Sequence, residues 1–335
     1  MKSKNETAVM FLCGFIMLLL ILDAKTALSG AKEGINLCLQ AVLPSIFPFL
    51  IISQLLTGRL SGRSIPLLRP IGKLCGIPEG AESIFLLGLL GGYPVGAQSV
   101  SDAWKQGSIS QKDAHRLLGF CSNAGPAFLF GMFGPLFSSD YIPWILWLIH
   151  IISALTVGMV LPGKAHSFCS LPGHTPDTLP KALERSIRII SVICGWVIAF
   201  RVILAILNRW LLWFIPLEYQ VLLTGLLELS NGCYSLRAIS CEATRFIISS
   251  VIISAGGLCV GMQTVTVTAD LGTGKYFPGK ILQSLLSIVI ALCLQPYLFN
   301  TPLLRSPAIF LGITAGSLML YYRSKHRKKV VAICG

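Results

Sequence analysis

Two ionisable residues lie inside long apolar stretches of this 335-residue chain, Glu228 in the run GLLELSNG and Arg201 in the run AFRVILAIL. A charge in such surroundings is costly and usually has a function. The Glu228 carboxylate can carry a coupling proton or help to hold a cation. Arg201 can pair with Glu228 or with an anionic substrate, and it can equally extend toward a polar interface. We therefore select both residues as candidates for ion coupling or charge pairing.

Helix-breaking residues interrupt the apolar stretches at four places, GGYPVGA at 91–97, CSNAGP at 121–126, ELSNG at 228–232 and SAGG at 254–257. The serine, asparagine and proline residues at these breaks are typical of helix starts. We predict that Ser122 or Asn123 caps one new helix, and that Ser230 and Asn231 cap another. Pro94 suits the first helical position after its break.

The helix ends at these breaks favour a central binding site. The N-terminus of a half-helix offers free N–H groups and a partial positive charge, which suit a carboxylate or phosphate. The carbonyl groups that end the preceding half-helix suit Na⁺ or a protonated group. A single break is equally explained as a packing kink, but four in a paired arrangement favour a site. Its predicted substrate-binding residues are Gly91, Gly92, Tyr93, Pro94, Gln98, Ser122, Asn123, Gly125, Ser230, Asn231, Ser254, Gly256, Gly257 and Gln263.

The composition predicts an integral membrane protein in a lipid bilayer. The chain is 54% hydrophobic and 12% charged, with a mean hydropathy of +0.74, whereas a soluble domain carries about 25% charged residues. The net charge of +13 is therefore interpreted as basic cytoplasmic loops and not as a nucleic-acid surface. The cysteines and histidines show no metal-ligand spacing, and no acid–base cluster predicts an enzyme. We predict no metal and no cofactor.

Eight apolar stretches approach the roughly 20 residues that a transmembrane helix needs. They are Ala8–Leu22, Ile35–Thr57, Leu117–Phe137, Ile142–Leu161, Ile187–Leu207, Phe246–Val267, Ile281–Leu298 and Ser306–Tyr322. Two further stretches, 82–106 and 219–240, are broken in the middle. An arm such as 82–93 is about 18 Å long as a helix, enough to reach only the midplane. We predict that both stretches form re-entrant hairpins.

The distribution of charge orients this scheme. With the hairpins re-entrant, most of the 27 lysine and arginine residues fall on one side of the membrane. Basic loops are typically cytoplasmic, so both termini are predicted to be cytoplasmic. Lys275 and Lys280 are counted in one of these cytoplasmic loops.

The order of features occurs twice with opposite topology, which predicts an inverted repeat. Each half contains a span, a broken hairpin, a broken span and a further span, and Gly88-Leu89-Leu90 recurs as Gly225-Leu226-Leu227. Many secondary transporters are built in this way. The predicted division is an N-terminal helix and linker at 1–34, a first repeat at 35–162, a cytoplasmic loop at 163–186, a second repeat at 187–300, and a last helix with a basic tail at 301–335.

Three motifs carry a family resemblance, namely LPSIFPFLIIS at 43–53, GLLGGYPVGAQ at 88–98 and CSNAGPAFLFG at 121–131. With them the chain resembles the YlbJ/SpoVV family of sporulation integral membrane proteins. That family belongs with proteins carrying the nucleoside-recognition Gate domain and is distantly similar to concentrative nucleoside transporters. The resemblance implies a protein of the outer forespore membrane of an endospore-forming bacterium. It also implies a role in moving dipicolinic acid from the mother-cell cytoplasm toward the forespore.

Three functions follow from the residues and the resemblance together. The first is a secondary transporter of a small organic anion, dipicolinate by resemblance, with Na⁺ or H⁺ as a coupling ion. Opposed helix N-termini can hold its two carboxylates and Tyr93 can stack on its ring, but Glu228 repels a dianion unless it is protonated or bound to a cation. The alternatives are a nucleoside transporter or sensor, and a non-transporting scaffold in spore-envelope assembly. A homo-oligomer is compatible with each of them.

Overall fold

The computed structural model describes residues 2–60, 65–161, 163 and 178–300. Within these ranges the regular structure is helical and contains no β-strand, which confirms the predicted all-α class. The fifteen α-helices are α1 (Lys2–Leu22), α2 (Ala24–Leu37), α3 (Leu43–Leu60), α4 (Arg69–Cys75), α5 (Glu82–Gly91), α6 (Val95–Lys105), α7 (Gln111–Leu117), α8 (Pro126–Phe133), α9 (Ile142–Val160), α10 (Leu179–Leu207), α11 (Leu217–Leu227), α12 (Leu229–Ser235), α13 (Glu242–Ala255), α14 (Gly257–Val267) and α15 (Tyr276–Leu298).

Long apolar helices confirm that the protein is a polytopic membrane protein. Five helical stretches in the described part of the chain are long and apolar enough to cross a membrane, namely Ala24–Leu56, Ile142–Val160, Leu179–Leu212, Glu242–Val267 and Tyr276–Leu298. Each overlaps a span predicted from the sequence. The first begins well before the predicted start at Ile35, because α2 continues into α3 through a π-helical turn.

The predicted span 117–137 is broken, as the helix-breaking residues at 121–126 indicated. Helix α7 ends at Leu117, α8 begins at Pro126, and residues 118–125 between them are not helical. Gly119, Gly125 and the following Pro126 are the physical reason, because both residue types disfavour a helix interior. The predicted last span 306–322, the basic tail 301–335 and most of the predicted loop 163–186 lie outside the described residues. The orientation of the termini stays a prediction.

Helices α5 and α6 form the first predicted hairpin and pack against each other. The chain reverses at Gly92, whose φ of 77° favours glycine. Helix α6 begins at Val95, one residue later than predicted, after a cis peptide bond between Tyr93 and Pro94. The arms can approach closely because Gly96 has no side chain. A Cβ atom built on Gly96 would lie only 3.0 Å from the Cα atom of Gly88.

Helices α11 and α12 form the second predicted hairpin, and its break is the single residue Glu228. A glycine pair again brings the arms together, since a Cβ atom on Gly232 would lie 2.8 Å from the backbone nitrogen of Gly225. Gly225 is the residue that matches Gly88 in the predicted repeat, so both hairpins use the same packing device. The boundaries of the repeats and the re-entry of the hairpins stay predictions.

We expect Gly96→Ala to destabilise the protein. The new Cβ atom would lie 2.8 Å from the carbonyl carbon of Cys121, which is backbone and has little room to move. Overpacking of this kind costs about 1–3 kcal/mol, which a thermal unfolding curve in detergent will show as a lower midpoint. Gly195→Ala is the matched control, because no atom lies within 4 Å of a Cβ built there. Equal midpoints for the two variants would contradict the close packing.

Candidate functional site: a cavity between the helix breaks

Each hairpin tip contacts the break of the broken helix that follows it. In the first half, a Cβ atom on Gly92 would lie 3.0 Å from the backbone nitrogen of Gly125. In the second half, a Cβ atom on Gly257 would lie 3.3 Å from the backbone nitrogen of Leu229. The two halves meet at Tyr93, whose hydroxyl group donates a hydrogen bond of 3.2 Å to the carbonyl oxygen of Ile253. All four predicted breaks therefore lie at the centre of the helix bundle.

A cavity with an empty volume of about 540 Å³ lies between the hairpin tips. Residues of α3, α8, α10 and α14 complete its largely apolar wall. Among the described residues that line it, Glu228 is the one with a carboxylate. Seven of the residues selected from the sequence line this cavity: Gly91, Gly92, Tyr93, Gly125, Glu228, Ser230 and Gln263.

Glu228 combines two roles, as the cap of α12 and as part of the cavity wall. Its side chain is buried and accepts hydrogen bonds from the backbone N–H groups of Ser230 (3.0 Å) and Asn231 (2.6 Å). The side-chain amide of Asn231 adds a third bond of 2.7 Å. The predicted roles are therefore reversed, because Glu228 caps the helix while Ser230 and Asn231 donate to Glu228. No described lysine or arginine forms an ion pair with this carboxylate.

Tyr93 separates the cavity from a buried cation, the ammonium group of Lys280. The Lys280 side chain donates a hydrogen bond of 3.1 Å to the Tyr93 hydroxyl group. Its nitrogen lies 4.9 Å from the centre of the Tyr93 ring, a distance typical of a cation–π contact. Lys280 is only 4% exposed and lies in the first turns of α15. Its assignment to a cytoplasmic loop was wrong, because the helix begins before it and buries it.

A network of neutral polar groups continues from Lys280 into the bundle. The lysine also donates a bond of 2.7 Å to the side-chain oxygen of Gln283. The amide nitrogen of Gln283 donates to the side-chain oxygen of Asn123 (3.2 Å) and to the backbone carbonyl of His150 (3.1 Å). The side-chain amide of Asn123 in turn donates a hydrogen bond of 2.8 Å to the backbone carbonyl of Phe120. The network thus connects the break before α8 to helices α9 and α15.

His150 connects this break to α13 and has one assignable tautomer. The backbone N–H of Ala124 donates a bond of 3.0 Å to His150 Nε2, so this nitrogen carries no proton. The proton of a neutral imidazole is then on Nδ1, which lies 3.2 Å from the Ser254 hydroxyl oxygen. From Ser254 a chain of hydroxyl groups runs through Ser287 to Ser153, with distances of 2.5 and 2.9 Å. The ring therefore positions the break from within α9.

Several predicted site residues lie outside the cavity wall. Asn123 and Ser254 belong to the polar network, and Gly256 packs against the Tyr93 ring. Ser122 is fully buried, and its hydroxyl group has no hydrogen-bond partner among the described residues. The side-chain amide of Gln98 donates a hydrogen bond of 2.8 Å to the carboxylate of Asp102 on the same helix.

Two predicted helix caps differ from those observed. Gly125 occupies the N-cap position of α8, with Pro126 as its first residue, so neither Ser122 nor Asn123 caps this helix. The reason is that the chain stays irregular through residue 125, and α8 begins only at the proline, whose fixed φ suits a first helical position. Pro94 and Gly257 flank breaks without lining the cavity.

Arg201 pairs with an acid other than Glu228. Its guanidinium group forms an ion pair with Glu33 of α2, close to where Gly30 and Gly34 let that helix approach α10. The Arg201 side chain is 19% exposed, so it lies at the edge of this helix pair and not in the cavity wall. This contact replaces the predicted pairing with Glu228, and the extension of Arg201 toward an interface stays a prediction.

Sequence reasoning missed Lys280, Gln283, Ser287 and His150. The first three are polar residues of α15 separated by three and four positions, a spacing that puts them on one face of a helix. This polar stripe in an otherwise apolar stretch is a signal that could have found them. His150 gave no such signal, because it is the one polar residue of the run LIHII at 148–152.

No family model and no solved structure matches this chain. A curated protein does, namely the sporulation integral membrane protein YlbJ of Bacillus subtilis (strain 168). The two sequences are 23% identical over 336 aligned positions, which cover 85% of this chain and 82% of YlbJ. This similarity supports the resemblance to the YlbJ family that the three sequence motifs carry, and the membrane-spanning helices agree with it.

Proposed function

We propose that the protein is a secondary transporter of a small organic anion and not an enzyme. The observation that carries the proposal is the cavity between the two hairpin tips, in a bundle of helices apolar enough to span a membrane. Irregular backbone at membrane depth is tolerated where it is buried in protein or lines a cavity. In secondary transporters, such broken helices form the substrate and ion sites.

The chemistry of the cavity supports a small organic substrate. The wall is apolar apart from the hairpin tips and a few polar side chains, which suits a flat ring that carries polar groups. The substrate we propose is dipicolinate, which the family resemblance implies, carried across the outer forespore membrane during sporulation.

Glu228 is the residue that we propose for ion coupling. A carboxylate in the cavity wall repels an anionic substrate, and a proton or a sodium ion on Glu228 removes this repulsion. Binding of the anion and of the coupling ion would then favour each other. This mutual effect is what couples the two fluxes in a symporter.

Direct binding to the purified protein tests the proposal. We expect dipicolinate to release or absorb heat on binding in calorimetry and to raise the unfolding midpoint of the protein. We expect nucleosides to do neither. Ala127→Phe places a ring where Ala127 lines the cavity and should weaken binding at least about tenfold, that is by 1.4 kcal/mol or more. Ala24→Phe is the control at an exposed helix position.

Other outcomes would select the other functions. Preferential binding of nucleosides would favour a nucleoside transporter or sensor. If the folded protein binds neither dipicolinate nor nucleosides, a scaffold in spore-envelope assembly would be favoured.

A further inference from the structure

We propose that Lys280 forms a second subsite, which binds one carboxylate group of the transported anion behind Tyr93. This inference rests on the proposed function and names the group that would select a dianion over a monoanion. The cavity wall itself has no cationic side chain among its described residues. The nearest contact of that wall with a cation is the hydrogen bond between Tyr93 and Lys280.

The first argument is the charge balance around Lys280. The titratable groups found near its nitrogen are Tyr93, Cys121 and His150, and none of them is a carboxyl group. No described acidic residue forms an ion pair with Lys280. A buried ammonium ion without a counter-ion lowers the stability of the folded protein, because nothing replaces the water that solvated the charge. An anionic substrate can supply the missing charge.

The second argument is the free donor capacity of the ammonium group. It has three N–H donors, and the described hydrogen bonds use two of them, to Tyr93 and to the side-chain oxygen of Gln283. Gln283 is itself fixed by Asn123 and by the His150 carbonyl, so the position of the lysine is set by the surrounding network. A carboxylate oxygen is a stronger acceptor for such a group than a phenol oxygen.

The third argument is access from the cavity. Tyr93 lines the cavity with its ring and contacts Lys280 with its hydroxyl group. On another side the ring packs against Gly256. A Cβ atom built on Gly256 would lie only 3.1 Å from Tyr93 Cζ, so the ring can lie this close because Gly256 has no side chain. Tyr93 therefore contacts both the cavity and the ammonium group. A carboxylate that takes the place of its hydroxyl group would contact Lys280 directly.

The test compares dipicolinate with picolinate, which has the same ring and only one carboxylate. We expect the purified full-length protein to bind dipicolinate about ten- to a hundredfold more tightly, the effect of one hydrogen bond to a charged group. Lys280→Met should remove this preference and leave picolinate binding little changed. A purely structural role for Lys280 would weaken the binding of both ligands alike, so the two ligands and the variant form a thermodynamic cycle.

Lys275→Met is the matched control, since Lys275 is exposed at the start of the same helix. It should keep the wild-type preference. If Lys280→Met keeps the preference, the inference fails and the proposed function stands. The wild-type protein alone also decides the matter, because equal affinity for the two ligands would overturn the subsite even where the variant does not fold. A wild-type protein that binds neither ligand would contradict the proposed function and the subsite together.

Discussion

Replacing Glu228 with glutamine is expected to abolish the accumulation of substrate driven by an ion gradient, while binding of the anion is retained or becomes tighter. The amide removes the negative charge that repels a dianion, so binding does not suffer. It also removes the group that takes up the coupling proton or cation, so accumulation in proteoliposomes should fall to the level of protein-free vesicles. This combination separates ion coupling from substrate recognition.

Folding of the Glu228→Gln variant must be checked, because Glu228 also caps α12. Glutamine has one side-chain oxygen where Glu228 uses two to accept three hydrogen bonds. The loss of such a bond lowers stability by about 1–3 kcal/mol, which a thermal unfolding curve will show. Glu184→Gln is the control, since Glu184 is an exposed acid of α10 that pairs with Arg188. Full gradient-driven accumulation by a folded Glu228→Gln protein would contradict the coupling role.

His150→Leu is expected to cause the second large effect, a loss of stability together with a loss of transport. Leucine is similar in size but leaves the backbone N–H of Ala124 without its acceptor and the hydroxyl group of Ser254 without its imidazole partner. Ser254 keeps its bond to Ser287, but the unpaired N–H group of Ala124 alone costs about 1–3 kcal/mol. Since Ala124 lines the cavity, the break loses its support from α9.

The unfolding midpoint in detergent and the uptake by the same preparation measure both effects. Thr156→Ala is the matched control, because Thr156 is a partly exposed residue of the same helix whose hydroxyl group bonds within α9. His150→Gln should recover part of the loss, since an amide can still accept and donate. An unchanged midpoint for His150→Leu would mean that the buried network does not hold the break in place.

Much of the fold was predictable because membrane helices obey strong constraints. Apolar length identified the spans, and the glycines and prolines of GGYPVGA and ELSNG located the hairpin tips. Both signals are local, since helix geometry and helix breaking depend on a few consecutive residues. For the same reason the break within the span 117–137 was located at residues that the structure shows to be non-helical.

The candidate site was predictable only where its residues lie at the breaks themselves. Tyr93, Gly125 and Glu228 line the cavity as the breaks suggested. The partners of these residues depend on which helices become neighbours, and that is set by packing over the whole bundle. Arg201 paired with Glu33, and Lys280 came to lie behind Tyr93, because α10 packs on α2 and α15 packs on α9 and α13.

The account depends most on the claim that the cavity between the hairpin tips carries a small organic anion across the membrane. Uptake of radiolabelled dipicolinate by proteoliposomes that contain the purified full-length protein tests this claim directly. Four conditions are needed, namely no gradient, a sodium gradient, a proton gradient and both together. The account predicts uptake above protein-free vesicles that at least one gradient increases and that Ala127→Phe prevents. Uptake equal to that of protein-free vesicles under all four conditions, by protein that is folded and correctly inserted, would contradict it.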